Sequence, residues 1–291
     1  MTLRPFAVCL LLVAACGTQD HEVARPIATA PSSTATADAP PTSTSTAIAV
    51  DSAAPTSTAI VSTPPPPPEC PDGMVKVAGG SFQFGLLKKE VQVGDLCVDK
   101  TEVTATAYEA CVKDGKCTDA FLDCAEAKTF KIAGKENHPI VCVDYPQANG
   151  YCTAVGKRLP TQEEWEWVAR AGQEARKYAF GNDAPKDEVC WSGSSTGARK
   201  GTCAVGEFPA SNNPQGIVDL TGNVFEWTSS KADSAGTMYV TKGGTWRDGV
   251  AAQLQITRPG GFKPSYRCGF GGVRCVAEAK SQGAKVTAAA P

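Results

Sequence analysis

Histidine is scarce in this 291-residue chain, which has only two. His21 lies in a stretch of small and polar residues, so His138 alone remains for the folded part. A Ser-His-Asp hydrolase would have to use His138, and its setting, "NHPI", is typical of a turn that precedes a strand. So few histidines also exclude the histidine-rich sites that hold zinc or iron.

An excess of basic residues is also absent. Lys and Arg number 28 against 30 Asp and Glu, which gives a formal net charge of −2. A protein that binds nucleic acid needs a basic face, so we expect no nucleic-acid partner. A glycine-rich phosphate loop is missing too, because "GGTWRDG" lacks the strand–loop–helix setting of such loops.

The N-terminal apolar run is too short to span a bilayer, because "FAVCLLLVAA" has about ten residues. Arg4 precedes it, and the combination is typical of a signal peptide, here residues 1–15. Small residues then lead to Cys16, a pattern that resembles the lipobox of bacterial lipoproteins, where the cysteine is diacylated. The alternative is ordinary secretion with Cys16 an unmodified thiol. Gly17 is not the aspartate of an inner-membrane retention signal, which favours an outer-membrane or periplasm-facing lipoprotein of a Gram-negative-type envelope.

Residues 16–69 are rich in Pro, Ser, Thr and Ala, with almost no charge and no apolar periodicity. Such a segment cannot bury enough surface to offset chain entropy, so we expect a disordered tether behind the lipidated Cys16. Fully extended, it would reach on the order of 150 Å. The folded part is expected at residues 70–278 as one loop-rich domain, followed by a disordered tail at 279–291.

Cysteine is abundant, with 13 residues. Export places them in an oxidising compartment, where most should form disulfides. Cys9 leaves with the signal peptide and Cys16 carries lipid, so an odd number remains and at least one thiol should be unpaired. The close pair Cys111 and Cys117 suits a local disulfide better than a zinc knuckle.

Three helices are predicted between short strands. Apolar residues at spacings of three and four indicate one from Tyr145 to a stop at Gly156. The second begins at Thr161, where Glu164 completes a capping box. The third and weakest is "ATAYEACVK", closed by Asp114-Gly115. Strands are predicted in "MVKVAGGSFQFG", "VQVGDLCVD", "MYVTKGG" and "FGGVRCV", so the pattern indicates an α+β domain.

Several motifs follow one another along residues 70–278. They are "GGSFQFG", "DKTEVT", the block "NHPIVCVDYPQANGYCTAVGKRLPTQEEWEWVARAG", "FGN", "VGEFPASNNPQGIVDLTGNVFEW", "KGGTW" and "GGVRC". In this order they resemble the formylglycine-generating enzyme family, also called sulfatase-modifying factor. The resemblance implies an irregular, loop-rich α+β fold related to C-type lectins, with few short helices, small antiparallel sheets and bound calcium.

The segment "DLTGNVFEW" resembles the stretch that binds calcium in that family. The resemblance implies carboxylate ligands at Asp219 and Glu226 and carbonyl ligands at Gly222 and Val224. Calcium prefers such hard oxygen ligands. The alternative is two acidic residues that accept hydrogen bonds from turn amides. A second family calcium site matches poorly at "EVCWSGSSTGARKGTC".

The resemblance also implies a disulfide between Cys152 and Cys275. The second family disulfide is lost, because Ala169 stands at one of its positions. Among the remaining cysteines, Cys190 and Cys203 form the favoured local pair, and Cys268 is the expected unpaired thiol.

In the family, two reactive cysteines after the "GG" motif bind copper(I) and convert a sulfatase cysteine to formylglycine. Here "KGGTWRDGVAAQL" places Asp248 and Gln253 at those positions, and neither is a soft copper(I) ligand. We therefore expect no copper and a binding or accessory module, monomeric, attached to the membrane by its lipid, with an unidentified protein, peptide or small-molecule ligand. The alternative is an active enzyme, either a formylglycine-generating oxidase or a diverged oxidase or transferase. A diverged enzyme would use a groove lined by Trp246, Arg247, Asp248 and Arg258.

Overall fold

The computed structural model describes residues 70–124 and 126–279. The predicted signal peptide, lipidation site and tether lie outside the described residues, as does the tail from 280 onward. No helix in the described part of the chain is both long and apolar enough to cross a membrane.

The described residues contain short strands, three α-helices and two 3₁₀ turns. The strands are β1 (Met74–Val77), β2 (Gly80–Phe84), β3 (Lys89–Val93), β4 (Leu96–Asp99), β5 (Phe225–Lys231), β6 (Tyr239–Lys242), β7 (Gly260–Phe262), β8 (Gly271–Gly272) and β9 (Val276–Glu278). The helices are α1 (Ala105–Lys113), α2 (Tyr145–Ala154) and α3 (Gln162–Ala169), and the 3₁₀ turns are Pro209–Ser211 and Ala251–Leu254. The predicted α+β, loop-rich fold is confirmed.

The strands form three small sheets in the described region. One is antiparallel with the order β1-β4-β9, a second is the β2-β3 hairpin, and the third has the order β7-β6-β5-β8. The third sheet is mixed, because β5 and β8 run parallel. In it Glu226 of β5 lies opposite Lys242 of β6. This pairing brings the segment that resembles a calcium loop beside the segment that resembles a catalytic loop.

Capping explains where the helices begin and end. The Thr161 hydroxyl accepts from the Glu164 amide at 3.1 Å, and the Glu164 carboxylate accepts from the Thr161 amide at 2.8 Å. This is the predicted capping box. At α2 a second box joins Asp144 and Gln147, which the apolar pattern alone did not indicate. The same helix ends before Gly156, whose φ of 73° suits a residue without a side chain.

Two apolar clusters hold the domain together. One packs the buried face of α2 against Phe225 and Trp227 of β5. The other packs Trp165 and Val168 of α3 against β1, β4 and the 217–220 loop. The sites described below adjoin the paired strands β5 and β6.

Five disulfides are present among the described residues. Cys152–Cys275, implied by the family resemblance, and the local pairs Cys190–Cys203 and Cys111–Cys117 are all bonded, as expected. The other two are Cys70–Cys97 and Cys124–Cys142. Cys268 is unpaired and buried, and burial raises the pKa of its thiol to about 12. At neutral pH this thiol is therefore protonated and a weak nucleophile.

Candidate functional site

The loop before β5 is unusually tight. Asp219, Gly222 and Asn223 all have positive φ, at 59°, 84° and 55°. A Cβ on Gly222 would lie 2.6 Å from the Cys190 carbonyl oxygen, so only glycine fits there. The Gly222 amide donates to the Gly243 carbonyl at 2.8 Å. The loop is therefore fixed between the segment at 190 and the segment that follows β6.

Three buried carboxylates surround this loop, and each is less than 5% exposed: Glu102 at 1%, Asp219 at 4% and Glu226 at 0%. Asp219 Oδ2 accepts from the Gly206 amide at 2.6 Å. Glu102 Oε2 accepts from the Asn223 side-chain amide at 2.9 Å. The second oxygen of Glu102 is buried and has no hydrogen-bond partner. An unpaired buried carboxylate oxygen is costly, so a positive or donating group at this oxygen would stabilise the fold.

Glu226 has the best-satisfied carboxylate of the three. Arg274 donates to Oε1 from Nε at 3.0 Å and from Nη2 at 2.8 Å. Trp165 Nε1 donates to Oε2 at 2.6 Å. Because these donors already engage both oxygens, Glu226 also has a structural role as the partner of Arg274.

The charge balance of the cluster is negative. Arg274 faces all three carboxylates and is itself 1% exposed. Burial raises the pKa of Asp219 to about 6. Burial, and next the charge of Asp219, raise the pKa of Glu102 well above its usual range. A hard divalent cation would neutralise this excess, so the donor set fits calcium in charge and in ligand type. Among the described residues, however, no three His, Cys, Asp or Glu side chains converge on one metal position.

The raised pKa of Asp219 makes a prediction for stability in calcium-free buffer. Its pKa moves from the ordinary value of 3.8 to about 6, so the folded state holds the proton more tightly than the unfolded state. The unfolding free energy should therefore fall as pH rises from about 4 to about 6, by about 3 kcal/mol. Urea unfolding of the wild type and of Asp219→Asn across this range measures the effect. The fall should be about 3 kcal/mol smaller in the variant, which keeps Glu102 and its raised pKa, and parallel pH curves for the two proteins would contradict the prediction.

The segment that resembles a catalytic loop begins at a buried ion pair. Lys242, which is 2% exposed, places Nζ 3.1 Å from Glu166 Oε2 of α3. Two glycines follow with positive φ, at 102° for Gly243 and 73° for Gly244. A Cβ on Gly244 would lie 2.4 Å from a Leu254 methyl group. The two ends of the segment are thus packed closely together.

Asp248 and Gln253 both close turns inside this segment. Asp248 Oδ2 accepts from the Thr245 amide at 2.7 Å and from its hydroxyl at 3.1 Å. Gln253 Oε1 accepts from the Val250 amide at 3.2 Å. Burial raises the pKa of Asp248, while its bonds to Thr245 oppose that rise. These positions hold the backbone with oxygen groups and offer no thiolate to copper(I).

The other predicted groove residues are in different surroundings. Trp246 is buried, with Nε1 donating to the Gly269 carbonyl at 2.8 Å, so it is packed and does not line an open groove. Arg247 lies 2.9 Å from Glu126 and over the Phe270 ring. Arg258 is exposed, and its charge acts to lower the pKa of Asp248. Glu126 was missed by the sequence reasoning because it is 121 residues from Arg247 and belongs to no motif.

His138, the lone histidine of the folded part, is in a structural position. Its Nδ1 lies 2.9 Å from the Thr202 hydroxyl, and its carbonyl accepts from the Ala105 amide. Burial lowers its pKa. These contacts join the start of α1 to the 202 loop, which agrees with the turn predicted at "NHPI".

Comparison with curated proteins finds relatives with two kinds of name. The chain is 37% identical over 160 residues to "Inactive C-alpha-formylglycine-generating enzyme 2" of Mus musculus, covering 51% of this chain and 52% of that protein. It is 41% identical over 110 residues to "Formylglycine-generating enzyme" of Mycobacterium tuberculosis, covering 34% and 36%. The chain thus spans about half or less of the length of these two relatives.

Solved structures and a family model cover more of the chain. CarF is similar with a TM-score of 0.59 and 22% identity, over 72% of this chain and 99% of that one. PvdO from Pseudomonas aeruginosa has a TM-score of 0.54 and 24% identity, over 70% and 94%. At these identities the likeness shows a shared fold. The model of the sulfatase-modifying factor enzyme 1-like domain matches residues 61–279. The chain therefore belongs to the sulfatase-modifying factor family.

Proposed function

We propose that this protein is a cell-envelope lipoprotein whose family domain lacks copper oxidase activity and acts as a binding or accessory module. The observation that carries the proposal is the role of Asp248 and Gln253. Both side chains are engaged in closing turns, at the positions where the resemblance implies the reactive cysteines. A hydrogen-bonded carboxylate and an amide cannot replace two thiolates as ligands of copper(I).

Two further observations support the absence of family chemistry. Trp246 is packed against the Gly269 carbonyl, so it is unavailable to stack on a substrate. The Mus musculus relative that shares 37% identity is itself named inactive. A domain that keeps the fold without the reactive pair is best suited to recognition, with the loop around Asp248 as its candidate contact surface.

Calcium is proposed as a structural ion of the domain. The side chains of Asp219 and Glu226 and the carbonyls of Gly222 and Val224 would hold it, and it would supply positive charge to a cluster with more carboxylates than cations. The unpaired buried oxygen of Glu102 supports this proposal. Urea unfolding at pH 7 tests this proposal. Adding calcium should raise the unfolding free energy of the wild type and leave that of Asp219→Asn nearly unchanged.

Export and anchoring are proposed from the sequence alone. A signal peptide at residues 1–15 and acylation of Cys16 would place the domain on an envelope membrane at the end of its tether. The disulfides of the described domain suit an oxidising compartment.

The direct test of the proposal is an oxidase assay. The full chain carrying Cys16→Ser, which removes the acylation site, is incubated with copper, oxygen and a Cys-x-Pro-x-Arg peptide, and the product is read by mass spectrometry. We expect no formylglycine. Robust conversion of the peptide would overturn the proposal and favour the active-enzyme alternative.

A matched variant tests whether Asp248 and Gln253 are the reason for the proposed lack of copper(I) binding. Asp248→Cys combined with Gln253→Cys restores the family's residue types at the two positions. Copper(I) binding, measured by competition with a colorimetric chelator, should be undetectable for the parent chain and measurable for the double variant. Equal binding by both proteins would show that other groups hold the metal and would contradict the assigned role of these positions.

A further inference from the structure

The tip of the β2-β3 hairpin exposes two adjacent leucines. Leu86 is 77% exposed and Leu87 is 95% exposed. They lie in the turn between Phe84 and Lys89, which face each other in the ladder. Exposure of single apolar residues is ordinary, but two adjacent leucines at the end of a projecting hairpin form a small apolar tip.

The base of the hairpin is firmly held. The Phe82 ring packs against Trp167 of α3, with ring centroids 5.3 Å apart. At the start of the turn, the Gly85 amide donates to Glu166 at 2.9 Å. The leucines are therefore presented to solvent by a fixed support, and folding back onto the core would require breaking these contacts.

The tip is basic as well as apolar. Lys88 and Lys89 follow the leucines directly, and both are exposed. The ion pairs found within the described residues include neither lysine. Glu90 is the nearest acidic residue in the sequence, and strand alternation directs its side chain to the opposite face from Lys89. Two exposed lysines outside the ion pairs of the described residues thus follow the two exposed leucines.

We propose that this tip, residues 86–89, inserts into the interface of an anionic lipid bilayer. The leucines would enter the boundary between headgroups and acyl chains, and the lysines would contact anionic headgroups. Size favours lipid over a protein partner, because a stable protein interface buries roughly 800 Å² on each side and two leucines supply far less. A bilayer needs no complementary pocket and accepts a narrow tip.

The position of the hairpin in the chain agrees with this assignment. The domain begins at Cys70, which is bonded to Cys97 of β4, and β2 starts ten residues later. Residues 16–69 separate the proposed acylation site from the domain. If Cys16 is acylated, as the proposed function holds, the tether would raise the effective concentration of the bilayer near the domain, and even weak insertion would suffice. The insertion itself does not depend on acylation, so the two proposals fail separately.

The experiment is vesicle co-sedimentation of the full chain carrying Cys16→Ser. Vesicles are phosphatidylcholine alone or mixed with phosphatidylglycerol at about three to one. We expect binding to the anionic vesicles, reduced at least about tenfold by Leu86→Ser with Leu87→Ser. The double variant Lys88→Gln, Lys89→Gln should bind the anionic vesicles about tenfold more weakly than the parent, with no change on neutral vesicles. Phe121→Ser, at an apolar residue 76% exposed elsewhere, is the matched control and should bind like the parent.

A second readout locates the tip in the bilayer. The five native tryptophans are all buried, namely Trp165, Trp167, Trp191, Trp227 and Trp246. Leu87→Trp should therefore add a fluorescence signal that brominated lipids quench, while the parent and Phe121→Trp are unaffected. The proposal is overturned if the parent binds anionic and neutral vesicles equally weakly, or if the leucine variant binds undiminished. It is also overturned if the tip variants change the protein's oligomeric state in light scattering without changing vesicle binding, since that result would indicate a protein partner.

Discussion

Replacing Arg274 with methionine is expected to destabilise the protein by about 3–5 kcal/mol, a large share of the stability of an ordinary domain. Arg274 is 1% exposed and forms a bidentate contact with Glu226. Its Nη1 also donates to the Asp99 carbonyl at 3.0 Å, and Nη2 donates to Val218 at 2.8 Å. Methionine would fill much of the volume but leave these acceptors unpaired and three carboxylates without a counter-charge.

The measurement is urea unfolding followed by tryptophan fluorescence, with Arg258→Met as the matched control. Arg258 is exposed, so its replacement should change the unfolding free energy by less than about 0.5 kcal/mol. Adding Glu226→Gln to Arg274→Met should recover part of the loss, because it removes one of the uncompensated charges. A loss below about 1 kcal/mol for Arg274→Met would show that water or another cation compensates the carboxylates.

Replacing Cys152 and Cys275 with serine, which removes the disulfide between them, is expected to cause the second large loss of stability. The bond spans a sequence separation of 123 and joins α2 to the segment before β9. In the chain-entropy model, closing a loop of this length stabilises the fold by about 5 kcal/mol. The same treatment of Cys111 and Cys117, which are separated by 6, should cost only about 2 kcal/mol.

Both pairs are compared by thermal and urea unfolding of the oxidised proteins. Free-thiol counts on the unfolded chains verify that the other disulfides have formed. The long-range pair should lower the midpoint more than twice as far as the local pair. Equal losses would mean that packing of the sulfur atoms, and not loop closure, dominates the contribution of these bonds.

The local structure was largely predictable, because its causes are local. "ATAYEACVK" is the full extent of α1, and the capping box at Thr161 marks the start of α3. The strands could be located only within wider stretches. "MVKVAGGSFQFG" divides into β1 and β2 at Gly79, where a Cβ would lie 2.4 Å from the Val93 carbonyl oxygen. That break depends on a strand formed later in the chain, which no local pattern indicates.

The buried charges were not predictable from the sequence. Glu166 lies between two tryptophans of α3, and its position in the sequence predicts an ordinary acidic residue that faces solvent. In the structure it is 0% exposed and pairs with Lys242 and Arg170. Arg274 likewise has partners 48 to 175 residues away. Periodicity identifies apolar faces, whereas these ion pairs depend on which polar residues the completed fold encloses.

The candidate site was predictable in composition but not in geometry. The sequence placed Asp248 and Gln253 where the family resemblance implies cysteines, and that substitution is the basis of the proposed loss of chemistry. The hydrogen bond from the Thr245 amide to Asp248 could not be predicted, because the same sequence is equally compatible with an aspartate that faces solvent. The sequence also could not place Trp246, because an aromatic residue after "GG" suits the wall of a groove as well as a packed core.

The anchoring of the segment after β6 has a consequence for protein engineering. Lys242 fixes one end through its buried ion pair, and Leu254 and Ile256 fix the other, each 0% exposed. Between these two ends, residues 249–252 form a short segment that is largely exposed and packs little against the core. Such a span on a disulfide-braced frame can be randomised without unfolding its support. The described domain is therefore suited to display, because foreign recognition sequences placed in this span would be presented from a rigid base.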